Sequence, residues 1–86
     1  MYSLYLEKRF ISSTKKLTVA VNKELEKNLK QLSQDPLHPH LRLKPLHGLL
    51  SGFYSFRVKE HRVIIEFLKD KKIRILAIER RDKVYK

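Results

Sequence analysis

The sequence predicts an α+β domain of order β-α(α)-β-β-β, in which a mainly antiparallel four-stranded sheet carries an N-terminal helical hairpin packed on one face. Three observations predict it. Val21, Leu25, Leu29 and Leu32 recur at spacings of four, four and three, which is one stripe of an α-helix. Beyond Gly52 the apolar period changes to two, first in Tyr54, Phe56 and Val58, then in Val63, Ile65 and Phe67. Eighty-six residues without an internal repeat, linker or low-complexity tract hold one modest core, so residues 1–86 are read as a single domain.

The elements follow in order. YSLYLE places Tyr2, Leu4 and Leu6 on one side of a strand. Ser12, Ser13 and Thr14 are strong N-cap residues, so a helix is expected to begin there, with a short first piece through about Leu17. In the striped segment Lys23, Glu26, Lys27 and Lys30 lie off the stripe, and Glu26 is spaced for an i,i+4 pair with Lys30. Pro36 ends the helix, because the residue before proline avoids helical geometry. LHPHLRLKPLHG, residues 37–48, is expected as a loop or extended connection, since Pro36, Pro39 and Pro45 exclude regular helix.

Two strands then form a hairpin. With Glu60 and His61 as a two-residue turn, Lys59 faces Arg62, Arg57 faces Ile64 and Ser55 faces Glu66. One face of that hairpin is entirely apolar and the other gathers the basic residues. Lys69–Lys72 make the next turn. IRILAIE, from Ile73 to Glu79, is apolar on both parities apart from Arg74, as a central strand would be. The tail RRDKVYK is polar apart from Val84 and Tyr85.

Charge is the most informative part of the composition. Twenty Lys and Arg against nine Asp and Glu give +11, a field that attracts polyanions. Arg57, Lys59, His61 and Arg62 fall within six residues of strand-like sequence, which fits a grip on an anion better than a helix lying on a membrane. No segment has the apolar length of a membrane span, and the N-terminus lacks the apolar run of a signal peptide. The absence of cysteine excludes disulfides and thiolate metal sites and is compatible with a reducing cytoplasm, the compartment expected here. His38 and His40 lack a third ligand at metal-binding spacing, so neither a metal nor another cofactor is expected.

Four short patterns occur in succession. They are Lys44-Pro45-Leu46-His47-Gly48, the aromatic-led strand Tyr54 to Val58, His61-Arg62-Val63, and Arg81-Asp82-Lys83-Val84-Tyr85. In this order and spacing they resemble the C-terminal half of RelE/ParE-superfamily toxins of type II toxin–antitoxin systems. The N-terminal strand and helices match that superfamily by length and order only. The resemblance implies two activities. RelE-like members are ribosome-dependent endoribonucleases that cut mRNA in the ribosomal A site, and ParE-like members are regarded as gyrase poisons. Both are neutralised by an antitoxin, here expected to be acidic, with a heterotetramer among the assemblies such a pair can form. The RelE-like activity would make mRNA and the 70S ribosome partners as well. ParE-like chains tend to run longer past the terminal tyrosine, which weighs toward the RelE-like side.

Metal-free RNA cleavage needs a group that takes the 2′-proton, cations that hold the extra negative charge at phosphorus, and an acid for the 5′-oxygen. Arginine suits the second task, because its planar fork binds phosphate oxygens in pairs and stays charged. By the resemblance, Arg57, Arg62 and Arg81 would hold phosphate, with Tyr85 as the family's C-terminal tyrosine. Tyr85 would exchange a proton, stack on a base, or plug the core edge; a phenol, with an ordinary pKa of about 10, needs cationic neighbours to act as a base. Lys44, His47, Lys59, His61 and Arg80 are further candidates for touching RNA. Histidine is the usual acid–base residue near neutral pH, but His61 is read first as an ordinary turn residue without chemistry. The chain departs from the nuclease pattern in three places. Ser55 stands where relatives often carry a second basic residue, Ile65 where tyrosine is common, and Glu79 in place of the usual glycine before the terminal arginine. Glu79 is read either as a base or as an ion-pair partner that blunts the arginines. The alternatives are therefore a nuclease, a gyrase inhibitor, and an RNA-binding protein without catalysis.

Overall fold

The computed structural model of the chain describes residues 1–80. Ser3–Leu6 is β1, Lys8–Thr14 is α1 and Val19–Gln34 is α2. A 3-10 turn at Pro39–Leu41 precedes β2, Lys44–Pro45, and a second at Gly48–Leu50 precedes β3, Tyr54–Val58. His61–Leu68 is β4 and Lys72–Arg80 is β5. The sheet order is β1-β5-β4-β3-β2. β1 runs parallel to β5, and the other neighbours are antiparallel.

The sheet thus has five strands where four were expected. The additional one is β2, whose Lys44 and Pro45 pair with Ser55 and Tyr54. Proline cannot donate to a ladder, so it is tolerated at this outer edge and nowhere further in. The strand is only two residues long and contains a proline, which is why a run broken by three prolines reads as loop.

Burial explains the helices. α2 turns Val21, Leu25 and Leu32 into the core, as its stripe predicts. Its N-cap is Thr18, whose side chain accepts from the Val21 N–H at 3.2 Å. α1 begins at Lys8, ahead of the expected Ser12. The position is set by Phe10, which is 2% exposed, since the Glu7 side chain at the N-cap makes no capping hydrogen bond. Ser12 to Thr14 form its last turn instead of its cap, with Thr14 Oγ1 donating to the Ile11 carbonyl at 2.6 Å. Ser33 of α2 ties down the start of β1, its carbonyl accepting from the Tyr2 N–H at 2.7 Å and its hydroxyl donating to the Tyr2 carbonyl at 2.8 Å.

The hairpin turn is Lys59–Glu60, one residue earlier than expected, and Val58 pairs with His61. Each β3 residue therefore meets a β4 residue two positions earlier than predicted. A two-residue slide keeps every side chain on its face, so the apolar face survives while the facing partners change. Lys59 takes a left-handed φ of 52° to make the turn.

β5 is central, between β1 and β4, as its apolarity on both parities predicts. A bulge adds to the effect. Ile64 pairs with Ala77 but Ile65 pairs with Ile75, which leaves Leu76 as the extra residue and reverses the parity of the strand across it. Ile73, Ile75 and Ile78 consequently all reach the helix-side core with Phe56, Val58, Val63 and Ile65. Among the described residues no helix is long and apolar enough to cross a membrane.

Two stability outcomes follow. Ile73→Ala removes a fully buried side chain between the helices and the central strand and is expected to destabilise by roughly 2–5 kcal/mol, measured by urea unfolding. Lys59→Gly relieves the left-handed strain and is expected to stabilise by about 0.5–1 kcal/mol, a rise of a few degrees in Tm by calorimetry.

Candidate nucleic-acid interface

Because Phe56, Val58, Val63 and Ile65 are buried toward the helices, Ser55, Arg57, Arg62 and Ile64 share the opposite face. Arg57 is the direct cross-strand partner of Arg62, and Ser55 of Ile64. Paired Cα atoms lie about 4.5–5.5 Å apart, so two guanidinium groups rooted there can serve one ligand.

The edge of the sheet adds to them. Lys44 on β2 is the cross-strand partner of Ser55. Arg42 ends the first 3-10 turn with a left-handed φ of 51°, its N–H donating to the Pro39 carbonyl at 3.2 Å. Arg42, Lys44, Arg57 and Arg62 line a cavity of about 150 Å³, together with Phe56, His61 and the buried Ser55, which is 3% exposed. Asn28 of α2 donates to the Arg57 carbonyl at 3.4 Å, anchoring this part of β3 to the helix layer.

Among the described residues, no carboxylate lines this cleft. Arg9 Nη2 lies 2.7 Å from Glu79 Oε1, Arg74 meets Glu7 at 3.2 Å and Glu66 at 3.3 Å, and Arg80 lies 3.6 Å from Glu60. Among the described residues, no ion pair involves Arg42, Lys44 or Arg57. Like charges directly opposite in a sheet are destabilising, and an anion bound between them reverses the sign. The arrangement is suited to holding a phosphate.

Of the sequence-predicted residues, Lys44, Arg57, His61 and Arg62 are brought together here. His61 does not sit in the turn; it opens β4 opposite Val58 and Arg80. Among the described residues its buried Nδ1 has no hydrogen-bond partner. With Arg80 it lines a neighbouring cavity beside Ser13 and Leu17. His47 and Lys59 are exposed, in the loop and in the turn, and do not line the cationic cleft. Arg81 and Tyr85 lie outside the described residues. Glu79 makes its ion pair with Arg9 of α1, while its backbone position is opposite Arg62.

Sequence reasoning missed Arg42. The available signal was the alternation Leu41-Arg42-Leu43-Lys44, in which Leu41 is buried and Leu43 half-buried, a strand-like period hidden among prolines. At the HPH segment, His38 Nδ1 accepts from the His40 N–H at 3.1 Å and so caps the 3-10 turn. Among the described residues, no three His, Asp or Glu side chains are grouped to hold a metal.

Known proteins share this architecture. The archaeal RelE in a RelE–RelB complex from Pyrococcus horikoshii OT3 superimposes with a TM-score of 0.80 at 25% identity, covering 93% of this chain and 94% of that one. The RelB–RelE antitoxin–toxin complex from Methanococcus jannaschii gives 0.77 at 20% identity, with 94% of each chain covered. The intact RelBE toxin–antitoxin complex of E. coli gives 0.74 at 18% identity, covering 93% and 96%. No curated protein sequence matches. The family model for the ParE toxin of the type II toxin–antitoxin system parDE matches residues 4–85, from β1 through the terminal V-Y. On that match and this fold, the chain belongs to the ParE toxin family, within the RelE/ParE superfamily of type II toxins.

Proposed function

We propose that this type II toxin is a ribosome-dependent endoribonuclease that cuts mRNA by attack of a 2′-hydroxyl on the adjoining phosphate. The observation that carries the reading is the direct cross-strand pairing of Arg57 with Arg62 inside a cleft that also holds Arg42 and Lys44. In the reaction the 2′-oxygen bonds to phosphorus as its proton passes to a base. The bond to the 5′-oxygen breaks as that oxygen takes a proton, leaving a 2′,3′-cyclic phosphate. Negative charge on the phosphoryl oxygens is greatest midway, so fixed guanidinium groups bind that state more tightly than the substrate. Such a step needs no metal. Tyr85, His61 and Glu79 are the candidates for moving protons, with Arg81 a further phosphate ligand.

The solved RelB–RelE complexes support an antitoxin as the partner that silences the site. An acidic segment laid over the cleft meets Arg42, Lys44 and Arg57, which make no ion pair among the described residues. The match to the ParE family model supports a second reading, a gyrase inhibitor that cuts no RNA.

Cleavage of mRNA on programmed ribosomes, mapped by primer extension, separates the two. Discrete cuts in the A-site codon are expected, with Arg62→Ala or Arg81→Ala lowering the rate about 10²–10³-fold while circular dichroism stays unchanged. Trapped gyrase cleavage complexes with intact mRNA would give the second reading the place of the first. Arg42→Gly is expected to raise Tm, because it relieves the left-handed backbone, and to weaken RNA binding with a smaller salt dependence, by about one phosphate contact. Calorimetry and binding titrations over salt concentration measure the two effects.

A further inference from the structure

Beside the cationic cleft, on the same face of the sheet, lies a second cavity of about 300 Å³. Its apolar lining includes Ile64 of β4, Ala77 of β5, and Leu50 and Phe53 from the loop before β3. Arg9 and Glu79, joined at 2.7 Å, stand at its polar side. Strand register fixes how the two cavities adjoin. Ile64 is the cross-strand partner of both Ser55 and Ala77, and Arg62 is that of both Arg57 and Glu79. Ile64 lies two residues, roughly 7 Å, along β4 from Arg62. An apolar hollow therefore opens about one nucleotide's reach from a paired-guanidinium grip.

The geometry points to this cavity as a slot for an unpaired nucleobase of single-stranded RNA whose phosphate sits between Arg57 and Arg62. The inference rests on the reading of the cleft as a phosphate grip and adds the part that holds the neighbouring base. The occupant follows from the neighbourhood. A strand that presents a phosphate and, one sugar away, a flat and largely apolar ring matches a cation pair beside an apolar slot. Ala77 is the small residue that leaves the floor open, and it is only 6% exposed. Phe53 offers an aromatic wall, and base stacking on such a wall tolerates any base. Arg9 and Glu79 supply a donor and an acceptor for the base edge. The volume is at the lower end of the roughly 300–1,000 Å³ range of small-ligand sites and has room for a base. A base held in a duplex cannot enter, so the slot selects single strands.

The test is fluorescence-polarisation binding of a short 2′-O-methyl RNA, which cannot be cut, against a phosphate-matched abasic strand. The wild-type protein is expected to prefer the base-bearing strand by roughly tenfold or more. Ala77→Leu fills the slot, and Leu50→Ser, at a partly exposed loop position, removes a wall without touching the core. Both are expected to lose most of that preference and to keep the abasic affinity and its salt dependence. A preference that persists in both variants, or one absent from the wild-type protein, overturns the slot. If Ala77→Leu weakens antitoxin binding while the base preference stands, the slot belongs to the antitoxin and the inference is likewise overturned. Arg62→Ala reads the grip separately and should weaken both strands equally. If it weakens neither, the phosphate reading fails and the slot falls with it.

Discussion

The register of β4 against its two neighbours is the constraint on which the site depends. Val63 and Ile65 are fully buried against the helices, and a strand's period of two then sends Arg62 and Ile64 to the other face. Pairing with β3 sets Arg62 opposite Arg57, and pairing with β5 sets it opposite Glu79. The cationic cleft is thus the reverse side of the hydrophobic core. Sliding the hairpin along itself would preserve both faces but separate the two arginines. The Lys59–Glu60 turn, with its left-handed lysine, is what holds them in step.

Electrostatics runs against stability here. Arg57 faces Arg62 across the strands, Arg42 and Lys44 join them, and among the described residues Arg42, Lys44 and Arg57 make no ion pair. The ion pairs of Arg9, Arg74 and Arg80 are largely exposed and so contribute little to holding the fold. Arg42 adds backbone strain at the same place, since a non-glycine residue with φ of 51° is held there by its surroundings. A protein that concentrates like charge and strain at one point is poised for an anionic partner, be it RNA or an acidic antitoxin.

Ser55 and Glu79 have a different significance in three dimensions from the one they carry as departures from the nuclease pattern. Ser55 is buried at the edge of the cationic cleft. The cation opposite it is Lys44, so charge sits on the adjoining strand instead of on β3. Glu79 is paired with Arg9 from α1, and its charge is met by a partner far away in the chain.

The sequence by itself determined the order of the main elements, the core face of α2, the two faces of the hairpin and the excess of positive charge. These follow from local periodicity, proline and composition, which act over a few residues. Only the tertiary structure decided the rest. Burial of Phe10 set where α1 begins, and an edge pairing with β3 across residues 46–53 created β2. The slide of the hairpin put Arg57 opposite Arg62, and the ending of a 3-10 turn brought in Arg42. In each case the deciding contact joins residues that local pattern cannot relate, and its free energy comes from surface buried or hydrogen bonds paired only once the whole sheet has formed.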